Sequence, residues 1–151
     1  MTDDVVEVIA DWPQPASSGE PIVIAGRGPL RICYTTADER VATIVFDVCH
    51  QVIYGNPNDE ALTGHPLYTH GLKFYSVHKV RHSTRLASLE RANSAHPRHD
   101  AARYLRDKEH FVFTFQDGTL ECLVTTGTRF PAKVLTFDTT DEAMAAMKDA
   151  S

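Results

Sequence analysis

Apolar positions recur with a period of two along several short stretches of this chain, the spacing of strands that bury one face. Val5 to Ala10 reads as a first strand and Pro13 to Gly19 as a loop. Pro21 to Ala25 and Leu30 to Thr35 flank Gly26-Arg27-Gly28-Pro29, a turn sequence, so these two runs are expected to form a hairpin. After a second turn at Ala37-Asp38-Glu39, Val41 to Tyr54 carries an apolar face at Ala42, Ile44, Phe46, Val48, Val52 and Tyr54, broken only by His50. A strand this long is expected to bend or bulge.

The sharpest alternation is His110 to Thr125, where two strands flank Asp117-Gly118, a strong hairpin turn signal. A two-residue turn there pairs Gln116 with Thr119, Phe115 with Leu120, Thr114 with Glu121 and Phe113 with Cys122. One face of the hairpin is then wholly apolar, with Phe111, Phe113 and Phe115 expected in the core. That register sets His110 and Glu121 roughly 13 Å apart along the strands, at about 3.3 Å per residue, too far for a direct pair.

The period changes to that of a helix at Ser83 to Ala95, with Ser83 as N-cap, Leu86, Leu89 and Ala92 facing inward, and Pro97 as the stop. A short helix over about Asp100 to Arg106 is expected next, between strands at Lys73 to Val80 and His110 onward. Lys133 to Phe137 reads as a last strand, and Thr139 with Glu142 forms a capping box opening a helix that docks Ala143, Met144 and Met147. The pattern predicts one α+β domain over residues 1–151, a single antiparallel sheet of about six to eight strands covered by two or three helices.

Between these elements, Gly55 to Leu72 shows no period beyond a single turn that Asn58 would cap and Gly64 would end. Connections this long are uncommon in small domains and often functional, so this loop is expected to border the largest concave pocket.

Composition adds little against this picture, since 42% hydrophobic and 23% charged residues are ordinary for a folded domain. Met1-Thr2-Asp3-Asp4 lacks the basic and apolar regions of a secretion signal, and no apolar run approaches about 18 residues, which predicts a cytoplasmic chain with no membrane partner. Cys33, Cys49 and Cys122 each lie in a strand-like run and are read as reduced, apolar fillers. The net charge of −5 is unevenly spread: Lys79 to Lys108 holds eight Lys/Arg against three Asp/Glu, a net +5, leaving −10 for the remainder. The basic residues divide at Pro97 between two short helices instead of forming one stripe, which argues against nucleic acid as a partner.

Chemistry is bounded first by what is missing: there is no Cys-x-x-Cys, His-Glu-x-x-His, Gly-x-Ser-x-Gly, phosphate-binding loop or EF-hand, and no motif names a cofactor or a metal. Cys49 and His50, as strand neighbours, point to opposite faces and cannot act as a dyad. Histidine is the enriched reactive residue, at His50, His65, His70, His78, His82, His96, His99 and His110. Glu121 is the carboxylate to follow, set in the middle of an uncharged strand, where it either faces solvent or lines a polar cavity. Asp47 poses the same question in its own strand.

The residues favour a polar pocket for a small molecule, binding or catalytic, bordered by the 55–72 loop. His110, Glu121 and His78 are the expected proton-transfer groups, and His65, Tyr68, His70 and Asp47 the expected ligand contacts. Nothing fixes a reaction, and self-association stays open. The competing expectation is a non-catalytic interaction module that presents the cationic 79–108 segment to an acidic partner.

Overall fold

The computed structural model describes residues 3–26 and 28–149, apart from the Asp149 side chain; Met1, Thr2 and the Arg27 of the first expected turn lie outside the described residues. Among the described residues nine strands form: β1 (Val5–Val8), β2 (Ile22–Ile24), β3 (Leu30–Thr35), β4 (Val41–Phe46), β5 (Val48–Gly55), β6 (Val77–Arg81), β7 (Lys108–Thr114), β8 (Thr119–Thr125) and β9 (Lys133–Phe137). Three α-helices accompany them, α1 (Thr84–Asn93), α2 (Ala101–Leu105) and α3 (Thr140–Asp149), with 3-10 turns at Asp59–Gly64 and Tyr68–His70.

The strands do not make the single sheet that the alternation suggested. They divide into two antiparallel sheets, one of five strands in the order β1-β6-β7-β8-β5 and one of four in the order β2-β3-β4-β9. The switch lies within the long run Val41 to Tyr54. Its first half, β4, pairs with β3 and β9, whereas its second half, β5, pairs with β8 in the other sheet. Asp47 is the crossover, and the expected irregularity follows it as a register shift between Cys49 and Gln51. An apolar face of period two says that a strand packs on one side, but it does not say which sheet the strand joins.

Face-to-face packing of the sheets makes the main core. Leu30, Ile32 and Tyr34 of β3 and Ala42, Ile44 and Phe46 of β4 meet Phe111 and Phe113 of β7, Phe115, and Leu120, Cys122 and Val124 of β8. The aromatic rings bridge the sheets, with Phe46 stacked 5.1 Å from Phe111 and Tyr34 edge-on 6.1 Å from Phe113. Trp12, in the loop after β1, stacks on Phe111 at 5.3 Å and plugs one side of the sandwich. Outside the four-stranded sheet, α3 buries Ala143 and Met147 on Cys33 and Val41. Outside the five-stranded sheet, Leu62, Leu67 and Leu72 of the long loop seat on Val6, Val80 and Val112. Gly71 leaves this loop at φ +123°, where a side chain would collide with the Val6 carbonyl, so the loop lies flush against β1.

The 110–125 hairpin forms with its three phenylalanines buried, but in a register two residues from the expected one. Thr114 faces Thr119, and Glu121 faces Val112 instead of Thr114. The Phe115 amide donates to the Gly118 carbonyl at 2.9 Å, so Gln116 and Asp117 occupy the turn and Gly118 is the first paired residue. Gly118 is not needed here for a left-handed conformation. A Cβ at that position would lie 2.8 Å from the Gly55 carbonyl oxygen at the end of β5, so the glycine admits a neighbouring strand. A shift of two preserves the faces, which is why burial came out right while the partner assignments did not.

Candidate functional site

The corrected register brings Glu121 diagonally across from His110 on the outer face of the hairpin, a separation that long side chains span. His110 Nε2 lies 2.8 Å from Glu121 Oε1. The expected 13 Å gap was therefore wrong, and its cause was the turn assignment. The other carboxylate oxygen, Oε2, is 3.2 Å from His65 Nε2 in the long loop, and Arg85 Nε in the first turn of α1 is 3.4 Å from Oε1. Three elements thus converge on one carboxylate that is almost wholly shielded from solvent.

Each partner is oriented from behind. His65 is seated by its neighbours Leu62 and Leu67, and its Nδ1 accepts the Leu67 amide hydrogen at 3.0 Å. That bond places the ring hydrogen on Nε2, which therefore donates to Glu121. Because Nε2 carries the hydrogen, this nitrogen has no lone pair for a metal ion. Among the described residues no group of three or more His, Cys, Asp or Glu is arranged to hold a metal. His110 Nδ1 sits 2.7 Å from the Ser83 hydroxyl oxygen, which also accepts the Leu86 amide and so caps α1. One serine joins the helix start to the buried ring. Burial would raise the Glu121 carboxyl, but hydrogen bonds from His110 and His65 and the charge of Arg85 outweigh it and hold the group well below the usual carboxylate range. Glu121 is an anion and a weak base.

In front of this cluster lies a cavity of about 310 Å³, lined by Asp4, His65, Pro66, Leu67, Thr84, Arg85, Ser88, His110 and Glu121. The 55–72 loop borders it as expected, with two of the four anticipated histidines. It is not the largest concavity. Depressions of about 410 Å³ at the α1–α2 corner and 430 Å³ beside Trp12 exceed it, but they are lined by the end of α1, the short α2 and loop residues and hold no comparable buried charge cluster.

The other expected site residues lie elsewhere. His78 is fully buried beside Val112, with Nδ1 donating to the Val112 carbonyl at 3.0 Å and Nε2 accepting the Lys73 amide at 2.9 Å. Both nitrogens hold backbone groups, and burial first, with a smaller push from the charge of Lys73, takes its pKa down to about 4 against the opposing Val112 bond. His70 is exposed, its Nδ1 donating to the Asp4 carbonyl at 3.0 Å. Tyr68 packs edge-on against Phe74 beside the leucine cluster. Asp47, at the crossover between sheets, pairs with Lys133 at 3.2 Å and does not line the cavity.

Sequence reasoning missed Arg85, Asp4, Thr84 and Ser88. The Asp4 carboxylate receives the Thr84 amide at 2.6 Å and the Thr84 hydroxyl at 3.0 Å, tying the chain start to the helix start. A signal for the loop was present in the spacing of Leu62, Leu67 and Leu72, three apolar anchors in a polar stretch. Of the cationic segment, Arg85, Arg91 and Arg103 lie on α1 and α2 as expected, whereas Lys79 and Arg81 belong to β6, and acidic residues temper these two: Lys79 pairs with Glu109 at 2.8 Å and Arg81 with Glu7 at 2.9 Å. No helix among the described residues is long and apolar enough to cross a membrane. Compared with family models, curated proteins and solved structures, the chain matches none.

Proposed function

We propose that the cavity between the long loop and α1 binds a small polar molecule, with Glu121, His65, His110 and Arg85 as its polar wall. The observation that carries this reading is a buried, anionic carboxylate at the cavity wall, fixed by donors from three separate elements. A preformed polar constellation beside apolar surface from Pro66 and Leu67 is the usual composition of a ligand site. Binding is favoured over proton transfer because all four ring nitrogens of His65 and His110 are already engaged and Glu121 is a weak base.

Ser88→Trp is the discriminating variant, since Ser88 is an exposed lining residue outside the buried network. Ligand-observed NMR with a fragment library is expected to give hits on the native chain that Ser88→Trp abolishes while thermal unfolding is unchanged. Hits that persist in the variant, or no hits at all, would sink the reading.

A further inference from the structure

The hydrogen-bonding groups around the cavity are unevenly engaged. Glu121 Oε1 faces both His110 and Arg85, and Oε2 faces His65. Both oxygens of Asp4 already receive hydrogens from Thr84. Every carboxylate oxygen on the cavity wall therefore has a donor. The donors differ: Arg85 is the one Lys or Arg lining the cavity, its side chain is 40% exposed, and its ion pair runs through Nε. Among the described contacts its terminal nitrogens make no other bond, and Ser88, one turn further along α1, adds a hydroxyl to the same wall. The donor capacity left open lies on Arg85, and it has the planar fork that matches a carboxylate.

We infer that the cavity takes a small molecule bearing a single carboxylate, gripped by the terminal nitrogens of Arg85 with help from the Ser88 hydroxyl, its apolar part lying on Pro66 and Leu67. This rests on the small-molecule reading above. Size sets the scale: 310 Å³ corresponds to about ten waters at roughly 30 Å³ each, room for a compact organic acid. Charge sets the limit. Arg85 is shared with Glu121 and has Asp4 nearby, so each added negative charge on a ligand meets more repulsion, and a dianion such as phosphate is disfavoured against a monoanion.

Acetate, lactate and benzoate, each compared with its neutral amide and with inorganic phosphate, test the inference by ligand-observed NMR titration of the full chain. The acids are expected to bind at least tenfold tighter than acetamide, lactamide and benzamide, and tighter than phosphate. Arg85→Gln should weaken the acids at least tenfold, while Arg91→Gln, an exposed change on α1 away from the cavity, should leave them unaltered. Amides equal to acids, phosphate tighter than acids, or Arg85→Gln without effect would overturn the ligand class, and the pocket would still stand if Ser88→Trp removes neutral fragments. Should Ser88→Trp displace no compound of any charge, both readings fall together.

Discussion

On one face of β7 and β8, Phe111, Phe113, Leu120, Cys122 and Val124 meet the second sheet through aromatic and aliphatic contacts alone. On the other face of the same two strands, His110 and Glu121 sit among Val112 and Leu123, His110 as deeply covered as the phenylalanines opposite and Glu121 nearly so. The apolar face gains from each buried group separately, and a truncated ring costs its own contacts and the void it leaves. The polar face has no such gradation. Removing one member of a hydrogen-bonded cluster leaves its partners buried and unsatisfied, so the loss appears at sites that were not changed. Similar burial on the two faces therefore goes with unequal responses to substitution, to pH and to ligands.

The largest difference should come from the apolar face. Phe113→Ala is expected to cost about 3–5 kcal/mol in denaturant unfolding, because Phe113 is fully buried between the sheets. A cost under about 1 kcal/mol would mean that the sheets do not pack through this ring.

Acid should act on the polar face alone. The native pKa of His78 is depressed from the ordinary 6.5 to about 4, so the unfolded chain binds more protons between those values. Stability is then full above about pH 6.5 and falls as pH drops toward 4, by an upper bound of about 3 kcal/mol from this ring. Glu121 adds a loss in the same direction as pH falls below its ordinary 4.5, since its native pKa is also depressed. Proton NMR of the His78 ring should show no titration between pH 8 and about 5.5, and a midpoint near 6.5 would contradict its burial.

Glu121→Gln keeps shape but presents an amide where donors converge. We expect a loss of about 1–3 kcal/mol, with the greater part recovered in variants that also remove the His65 or His110 donor. Additive losses in such double-mutant cycles would show that the three residues do not act as a unit. The smallest effect belongs to the edge of the same sheet. The Arg81–Glu7 pair is half-exposed on both sides, and Arg81→Ala should change stability by no more than about 0.2–1 kcal/mol, shrinking with added salt.

Much of the local structure was legible from the order of residues. Ser83 and Thr139 cap their helices, Lys133–Phe137 is a strand, and Phe111, Phe113 and Phe115 are buried, because each depends on neighbours within a few positions and on period alone. That the long loop borders a cavity was anticipated from its length and irregularity, but the cavity was expected to be the largest and is not. Three features were decided only by the tertiary structure. The run from Val41 to Tyr54 was divided between two sheets at Asp47, because alternation defines a face and not a partner. The hairpin turn slid by one residue to Gln116-Asp117, because Gly118 is held by the approach of Gly55 on β5, some sixty positions earlier in the chain. That slide moved Glu121 from a place opposite Thr114 to within hydrogen-bonding reach of His110. His65 and Arg85 then closed on the carboxylate because Leu62 and Leu67 seat the loop and Ser83 seats the helix on the same sheet face. Sequence fixes periods, caps and turns through short-range sterics and hydrogen bonds, whereas the meeting of one carboxylate with three distant donors depends on register and packing summed over the whole molecule.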